Sequence, residues 1–344
     1  MAPPKGQPTD RAARVTAREV AALAGVSLGT VSNVMNRPDK VAPETLRRVK
    51  EASERLGWTL HQGAKQMRGG RSAAIGAVVA RLNPHTIELL EVVDQVLDEN
   101  GFVLQFATSA YQPDREMKRV ELFEQQRVRG IIISPTQDYE AHLPRLRQLD
   151  IPLVMLGPAS HGLCSVFGDG VAGGRLAAAH LIENGHRRIA VVGGAAPSDQ
   201  VQARISGARL ALTSDATLQV LSTKEYDIST GVAIAERLAR CGVDERPTGV
   251  LAINDSIAIG LQRGFLSAGI SVPGDVAVIG YDDGELARIA PVALTTIRVS
   301  SADLGRQAAR LLLEEIASAD SEQPHVHQQL RVQPELVVRE STLP

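Results

Sequence analysis

A chain of 344 residues with 44% hydrophobic and 22% charged residues is long enough for two or three domains and apolar enough to build real cores. It contains no run of eighteen apolar residues, which excludes a transmembrane helix. Its polar opening MAPPKGQPTDRAARV lacks the apolar stretch of a secretory signal. Cys164 and Cys241, the only cysteines, make no disulfide framework and suit a reducing cytoplasm.

The formal net charge of −2 hides an asymmetry: residues 1–71 hold thirteen Lys/Arg against six Asp/Glu, and the remainder holds 24 against 33. A small basic part joined to a larger acidic one points to a polyanionic partner at one end. Residues 1–14 read as a disordered tail. In Thr16 to Asn36, TAREVAALAGVSLGTVSNVMN, Thr16 and Glu19 have capping-box spacing, and Val20, Leu23 and Ala24 give the first helix an inner face. Gly25 ends that helix and Ser27 caps a second. There Val31, Val34 and Met35 share one face, while Leu28, Gly29, Ser32, Asn33 and Asn36 form an uncharged outer face. Pro43 suits the first position of a third helix running to Leu56, and Ala42 before it offers no cap. Geometry alone makes this a three-helix domain, 15–58, and does not distinguish a DNA reader from a structural unit.

Residues 59–72 form a basic joint with a Gly69-Gly70 pair. From Ala74 the texture alternates strand-like apolar runs with helices, the signature of doubly wound parallel sheets. One series of strands covers 74–80, 102–108, 130–134 and 152–156. A second covers 165–167, 188–192, 218–222, 249–253 and 276–279, with a break near Gly157-Pro158.

The wording TAREVAALAGVSLGTVSNVMNRPDKVAPETLRRVKEASERLGW closely resembles the DNA-binding headpiece of the lactose-repressor (LacI/GalR) family of bacterial regulators. The resemblance continues through GRLAAAHLIENGHRRIAVVGG, NDSIAIG, VPGDVAVIGYDD, LTTI and PELVVREST in the family's order. It implies an all-α headpiece with a hinge helix at 59–72, then a periplasmic-binding-protein-like α/β core over 73–344. The expected lobes are about 73–157 with 296–319, and about 158–295 with 326–344. It also implies a cytoplasmic, nucleoid-associated homodimer on a pseudo-palindromic operator, controlled by a small effector. Thr16, Ser27, Thr30, Ser32 and Asn36 are then placed at the DNA backbone and Leu28, Gly29 and Asn33 at base edges. Asparagine reads adenine bidentately, and leucine meets a thymine methyl. Ala64 and Met67 match the hinge's minor-groove positions, although Leu60-His61 and Gly63 depart from its pattern.

The resemblance places an effector among Arg204, Tyr226, Asn254 and Asp282 of the second lobe and His85, Thr86, Ser134 and Thr136 of the first. A guanidinium and a carboxylate suit vicinal hydroxyls, so a sugar, polyol or nucleoside is the expected class. Each residue has a plainer reading, as a solvated helix arginine, a strand-end turn or, for His85, an exposed loop histidine. Gly168-Asp169-Gly170-Val171-Ala172-Gly173 is a literal G-x-G-x-x-G, but the next strand ends in Val192-Gly193 without the acid a dinucleotide site needs. It reads as a backbone turn, and no cofactor is expected. His325 and His327 lack partners at metal spacing along the chain, so no metal site is expected either. No catalytic constellation emerges. The alternatives, a solute-binding protein of the same fold or an NAD enzyme, lack a signal peptide and a complete fingerprint respectively.

Overall fold

The computed structural model describes residues 15–36, 40–58, 72–135, 139–159, 162–194, 199–321 and 323–343, in two units that divide between Ser72 and Ala73. In the first unit α1 (Ala17–Ala24), α2 (Leu28–Asn36) and α3 (Pro43–Leu56) pack around Val20, Val31, Val34 and Val49, each at most 4% exposed. The Glu19 carboxylate accepts from the N–H and the hydroxyl of Thr16, at 2.7 and 2.9 Å, which fixes the start of α1. Gly25, at φ +63°, turns the chain out of α1. Arg48 of α3 then donates to Ala24 O and, at 3.2 Å, to Gly25 O, satisfying carbonyls left open at the end of that helix. Leu23, expected on the inner face, is 47% exposed. The helix is only eight residues long, and its buried arc is filled by Val20, Ala21 and Ala24. Ala42 makes no side-chain cap for α3, as its methyl group dictates.

The second unit begins β1 (Ala74–Val79), α4 (Pro84–Glu99), β2 (Val103–Thr108), α5 (Pro113–Gln125), β3 (Gly130–Ile133), α6 (Tyr139–Arg147), β4 (Leu153–Leu156) and β5 (Cys164–Gly168). It continues α7 (Gly170–Glu183), β6 (Arg188–Val192), α8 (Asp199–Leu210), β7 (Thr217–Leu221), α9 (Ile228–Ala239), β8 (Gly249–Ala252), α10 (Asp255–Ser267) and β9 (Ala277–Asp282). Then follow β10 (Thr295–Arg298), α11 (Ser301–Ser321), β11 (Gln329–Val332) and β12 (Glu335–Val337). One six-stranded sheet has the order β11-β5-β4-β3-β1-β2 and the other β12-β10-β9-β8-β6-β7, with β12 antiparallel on an otherwise parallel sheet. In the first sheet alternate residues face two cores. Ile75, Ala77, Val79 and Ile132 pack with α4 and α11, and Val78, Ile131, Ile133 and Met155 pack with α5 and α6. Strands buried on both faces read as continuous apolar runs, which is why β1 and β3 were legible.

The chain passes between the sheets three times, and each passage lies elsewhere than the sequence suggests. Strand β5 pairs with β4 in the first sheet, Val154 opposite Cys164, so the first passage follows Gly168 rather than Gly157. Strand β10 pairs with β9 in the second sheet, so residues 296–298 do not belong to the first lobe. Strand β11 pairs with β5, so 329–332 stay with the first sheet and only β12 joins the second. Strand propensity is local and says nothing of which neighbour an edge strand will find.

Two close approaches shape the second lobe. A Cβ on Gly174 would lie 1.9 Å from Arg204 O, and one on Gly207 would lie 2.0 Å from Val171 O, so α7 and α8 cross backbone to backbone. The glycine run read as a possible dinucleotide loop is therefore a helix contact, and Asp169 caps α7 by accepting from Ala172 N–H at 2.9 Å. At the C-terminus Ser341, fully buried, donates to Val278 O at 2.6 Å and accepts from Thr295 N–H at 2.8 Å, stitching the end of the chain to β9 and β10.

Two substitutions test these packings. Ala42→Ser supplies the missing cap and is expected to stabilise the three-helix unit by about 1 kcal/mol, read as a higher first transition in thermal melts of the full chain. Gly174→Ala is expected to destabilise the second unit by roughly 1–3 kcal/mol, read in urea unfolding, because the colliding atom is backbone and cannot rotate away.

Candidate functional site

The outward face of α2 is set by its inward one. Val31 and Val34 are buried, which turns Leu28, Gly29 and Asn33 outward, all exposed, and leaves Thr30 and Ser32 half-buried at the flanks. Ser27 Oγ accepts from Thr30 N–H at 3.0 Å and shares a 2.9 Å hydrogen bond with the Thr30 hydroxyl, so the start of α2 is rigid. Asn36 closes the helix, and nothing is described of its side chain. Ala64 and Met67, expected in the hinge, lie outside the described residues.

In the second unit two adjoining cavities of about 180 and 210 Å³ open at the carboxyl ends of the strands, between the sheets. Both are lined by Val79, Thr86, Ser134, Gln200, Arg204 and Asp282. His85 lines the first, and Tyr226 and Asn254 line the second. Seven of the eight expected effector residues thus meet in one cleft, and the eighth, Thr136, lies outside the described residues.

Arg204 is the centre of this cleft. Its guanidinium lies 3.6 Å above the centre of the Tyr281 ring and donates through Nη1 to Ile253 O. Nη2 sits 3.7 Å from Asp282 Oδ1, with both side chains about one-sixth exposed. The buried Nε has no hydrogen-bond partner among the described residues. The Gly173-Gly174 pair makes this arrangement possible. A Cβ on Gly173 would come within 2.2 Å of Tyr281 Oη, just as one on Gly174 would strike Arg204 O.

Asp282 is held in an unusual conformation. Asp282 and Asp283 have φ of +105° and +55°, in the left-handed region that costs most residues about 1–2 kcal/mol. Asp283, 3% exposed, is clamped by Arg298 at 2.8 Å and Arg339 at 2.6 Å. Asp255 accepts from Gly284 N–H at 2.7 Å and from the Thr296 hydroxyl at 2.6 Å. Burial, and secondarily the nearby Asp282 charge, push the Asp255 carboxyl up to about 8.

Other expected residues carry structural duties as well. His85 is not a loop residue: it opens α4, where Asn83 accepts from Thr86 N–H at 2.8 Å, and its Nδ1 is 2.6 Å from the Ser301 hydroxyl. Asn254 caps α10 through Ile257 N–H at 2.8 Å and donates to Tyr226 O at 3.0 Å, so one amide hydrogen remains for the cleft. Several lining residues escaped the sequence reading. Gln200 donates from α8 to Leu156 O of the first sheet at 3.3 Å. Tyr111 meets Tyr226 edge-to-face at 5.6 Å across the mouth, and Arg81 stands 3.9 Å from Glu225. These pairs come from opposite lobes, so no local pattern links them. His325 and His327 also have partners after all, since Cys164 Sγ lies 3.1 Å from His325 Nε2 and 3.8 Å from His327 Nδ1.

The raised Asp255 carboxyl has a pH consequence. A neutral buried acid favours the folded state fully below its unfolded value near 4, and that advantage is lost as pH rises through about 8. Asp255→Asn removes the ionisation, so the melting temperature of the variant minus that of the parent is expected to grow from pH 5 to pH 8. A pH-independent difference in differential scanning calorimetry would contradict this.

Residues 16–59 match the family described as bacterial regulatory proteins, lacI family, and residues 178–342 match a periplasmic binding protein-like domain. The chain is 31% identical over 333 residues to the HTH-type transcriptional repressor PurR of Vibrio parahaemolyticus, covering 94% of this chain and 97% of that one. It is similar to the crystal structure of the lac repressor dimer bound to operator and the anti-inducer ONPF, with a TM-score of 0.84, 26% identity, and 96% and 100% of the two chains covered. It is also similar to the transcriptional regulator CelR in complex with cellobiose, with a TM-score of 0.67, 30% identity, and 95% and 100% covered. With a DNA-reading helix pair in one unit, a ligand-sized cleft in the other and relatives matched along nearly its whole length, the chain belongs to the lacI family of bacterial regulatory proteins: it is a DNA-binding transcriptional repressor of the lacI type and not an enzyme.

Proposed function

We propose that two copies of this chain bind a pseudo-palindromic operator and that a small polyhydroxylated effector, a sugar, polyol or nucleoside, controls this binding from the cleft around Arg204. The observation that carries the effector class is the Arg204–Asp282 pair. The two are close enough to share a ligand, yet at 3.7 Å they are not locked to each other, and Arg204 Nε is a buried donor without a partner among the described residues. A buried donor without a partner costs about 1–3 kcal/mol, which a ligand hydroxyl would recover. Thr86, Ser134 and Gln200 add neutral hydrogen-bonding groups, and Phe167 adds ring surface. The cellobiose complex of CelR supports the same class.

At the DNA, Asn33 is an exposed side chain of the α2 face with both a donor and an acceptor, and Leu28 offers only apolar contact. Ser27, Thr30 and Ser32 flank them at the height of the sugar–phosphate backbone. For pairing of copies, the edge strand β2 exposes Val103 and Phe106, 58% and 53% exposed, and Leu122 of α5 is 40% exposed. An apolar sheet edge of this kind is a surface that a second copy can cover. Lobe closure sensed at Arg204 would then alter operator affinity, by no more than the effector's differential affinity for the two states.

The test has two arms. Fluorescence anisotropy on a library of palindromic duplexes is expected to show sequence preference and steep loss of affinity with salt. Asn33→Ala is expected to relax one base position by about 1–3 kcal/mol. Equal affinity for every duplex would refute the reading. A thermal-shift screen of sugars, polyols and nucleosides is expected to give hits that disappear in Arg204→Ala, and hits that persist would place the effector elsewhere.

A further inference from the structure

We infer that the first lobe carries a transition-metal site of the zinc class, formed by Cys164, Glu315, His325 and His327. Cys164 is far in sequence from the other three. Cys164 opens β5, Glu315 lies on α11, and His325 and His327 stand in the segment that leads from α11 into β11. The fold brings one ligand atom from each within 4.8 Å of all the others.

The donor chemistry is selective. A thiol, two imidazoles and one carboxylate are a closed set of four for zinc, which takes sulfur at about 2.3 Å, nitrogen at about 2.0–2.1 Å and oxygen at about 2.0–2.2 Å in a tetrahedron. Those bond lengths imply ligand–ligand separations of roughly 3.3–3.7 Å. Cys164 Sγ already stands 3.1 Å from His325 Nε2 and 3.8 Å from His327 Nδ1. The two rings are edge-on, with centroids 5.2 Å apart and planes at 75°, so both nitrogens can address one point without the rings colliding. Thiolate and imidazole together favour zinc, copper, nickel or iron over magnesium and calcium.

Glu315 shows what the cluster lacks. Its Oε2 is buried with no hydrogen-bond partner among the described residues. No cation is paired with it among the described salt bridges. A buried carboxylate beside a thiol and two imidazoles is left short of positive charge, and a dication supplies it. Outer partners are in place as well. The Ser318 hydroxyl is 3.4 Å from His325 Nδ1, the nitrogen opposite the one facing the thiol, and Gln328 N–H points at Cys164 Sγ at 3.5 Å. Such partners fix ring tautomer and thiolate orientation. On coordination the thiol proton leaves to solvent. Metal would tie the segment before β11 to α11 and β5, at the amino ends of the paired strands β5 and β11.

The experiment is a cobalt titration of the tag-free full chain, stripped with EDTA and kept under reductant. One cobalt per chain is expected, with a near-ultraviolet thiolate charge-transfer band and the intense visible bands of tetrahedral cobalt, all erased by zinc. Cys164→Ser is expected to lose the charge-transfer band, whereas Cys241→Ser keeps it. His327→Gln alters an exposed residue, so it tests the site without disturbing packing. It should bind at least roughly tenfold more weakly, with unchanged melting in EDTA. Zinc is expected to raise the melting temperature of the parent but not of Cys164→Ser. An absent thiolate band, or bands and affinity unchanged in Cys164→Ser and His327→Gln, would overturn the assignment and leave Cys164 and His325 as a hydrogen-bonded pair.

Discussion

The second unit is organised around one largely buried cation in its cleft. Arg204 is only about one-sixth exposed, so its charge is met by the face of Tyr281, the carbonyl of Ile253 and the neighbouring carboxylate of Asp282. A desolvated cation over an aromatic face is worth up to about 2 kcal/mol. Each of these partners constrains a different part of the lobe. Ile253 follows β8, and Tyr281 and Asp282 end β9. The arginine therefore reports on two strand ends at once, at the edge of the cleft where a ligand would enter.

That position has structural requirements well away from the cleft. Helix α8 must approach α7 closely enough for Arg204 to sit over Tyr281, which only Gly173 and Gly174 permit. The turn after β9 must hold two consecutive residues at positive φ, which the buried Asp283–Arg298–Arg339 cluster and the Asp255–Gly284 bond enforce. Buried charges of this kind add little to net stability compared with apolar packing. Their value here is in specifying one loop geometry. The same logic runs through the C-terminus, where Ser341 and Thr342 are buried against β9 and β10 although both are small polar residues near a chain end.

Much of this was readable from local chemistry. The helix starts at Thr16 and Pro43, the stop at Gly25, and the inward stripe of Val31 and Val34 depend on residues within one or two turns of each other. The apolar runs of β1, β3 and β4 announced strands covered on both faces. Leu23 was misplaced because helical periodicity gives an angle and not the width of the partner surface. His85 was misread as a loop residue because Asn83-Pro84 signals a turn and a helix start equally well.

The chain by itself determined its element types, its headpiece, its two-lobed α/β class and the residue types gathered around Arg204, because periodicity, caps and motif wording are carried by near neighbours in sequence. Only the tertiary structure decided which sheet β5, β10 and β11 join. It alone brought Gln200, Tyr111 and Tyr226 together across the cleft, and it gave His325 and His327 the partners Cys164 and Glu315. Strand pairing and ligand clustering join residues as far apart in the chain as Ser165 and Gln329. Such contacts are selected by the packing of the whole core, and no local pattern of residues encodes them.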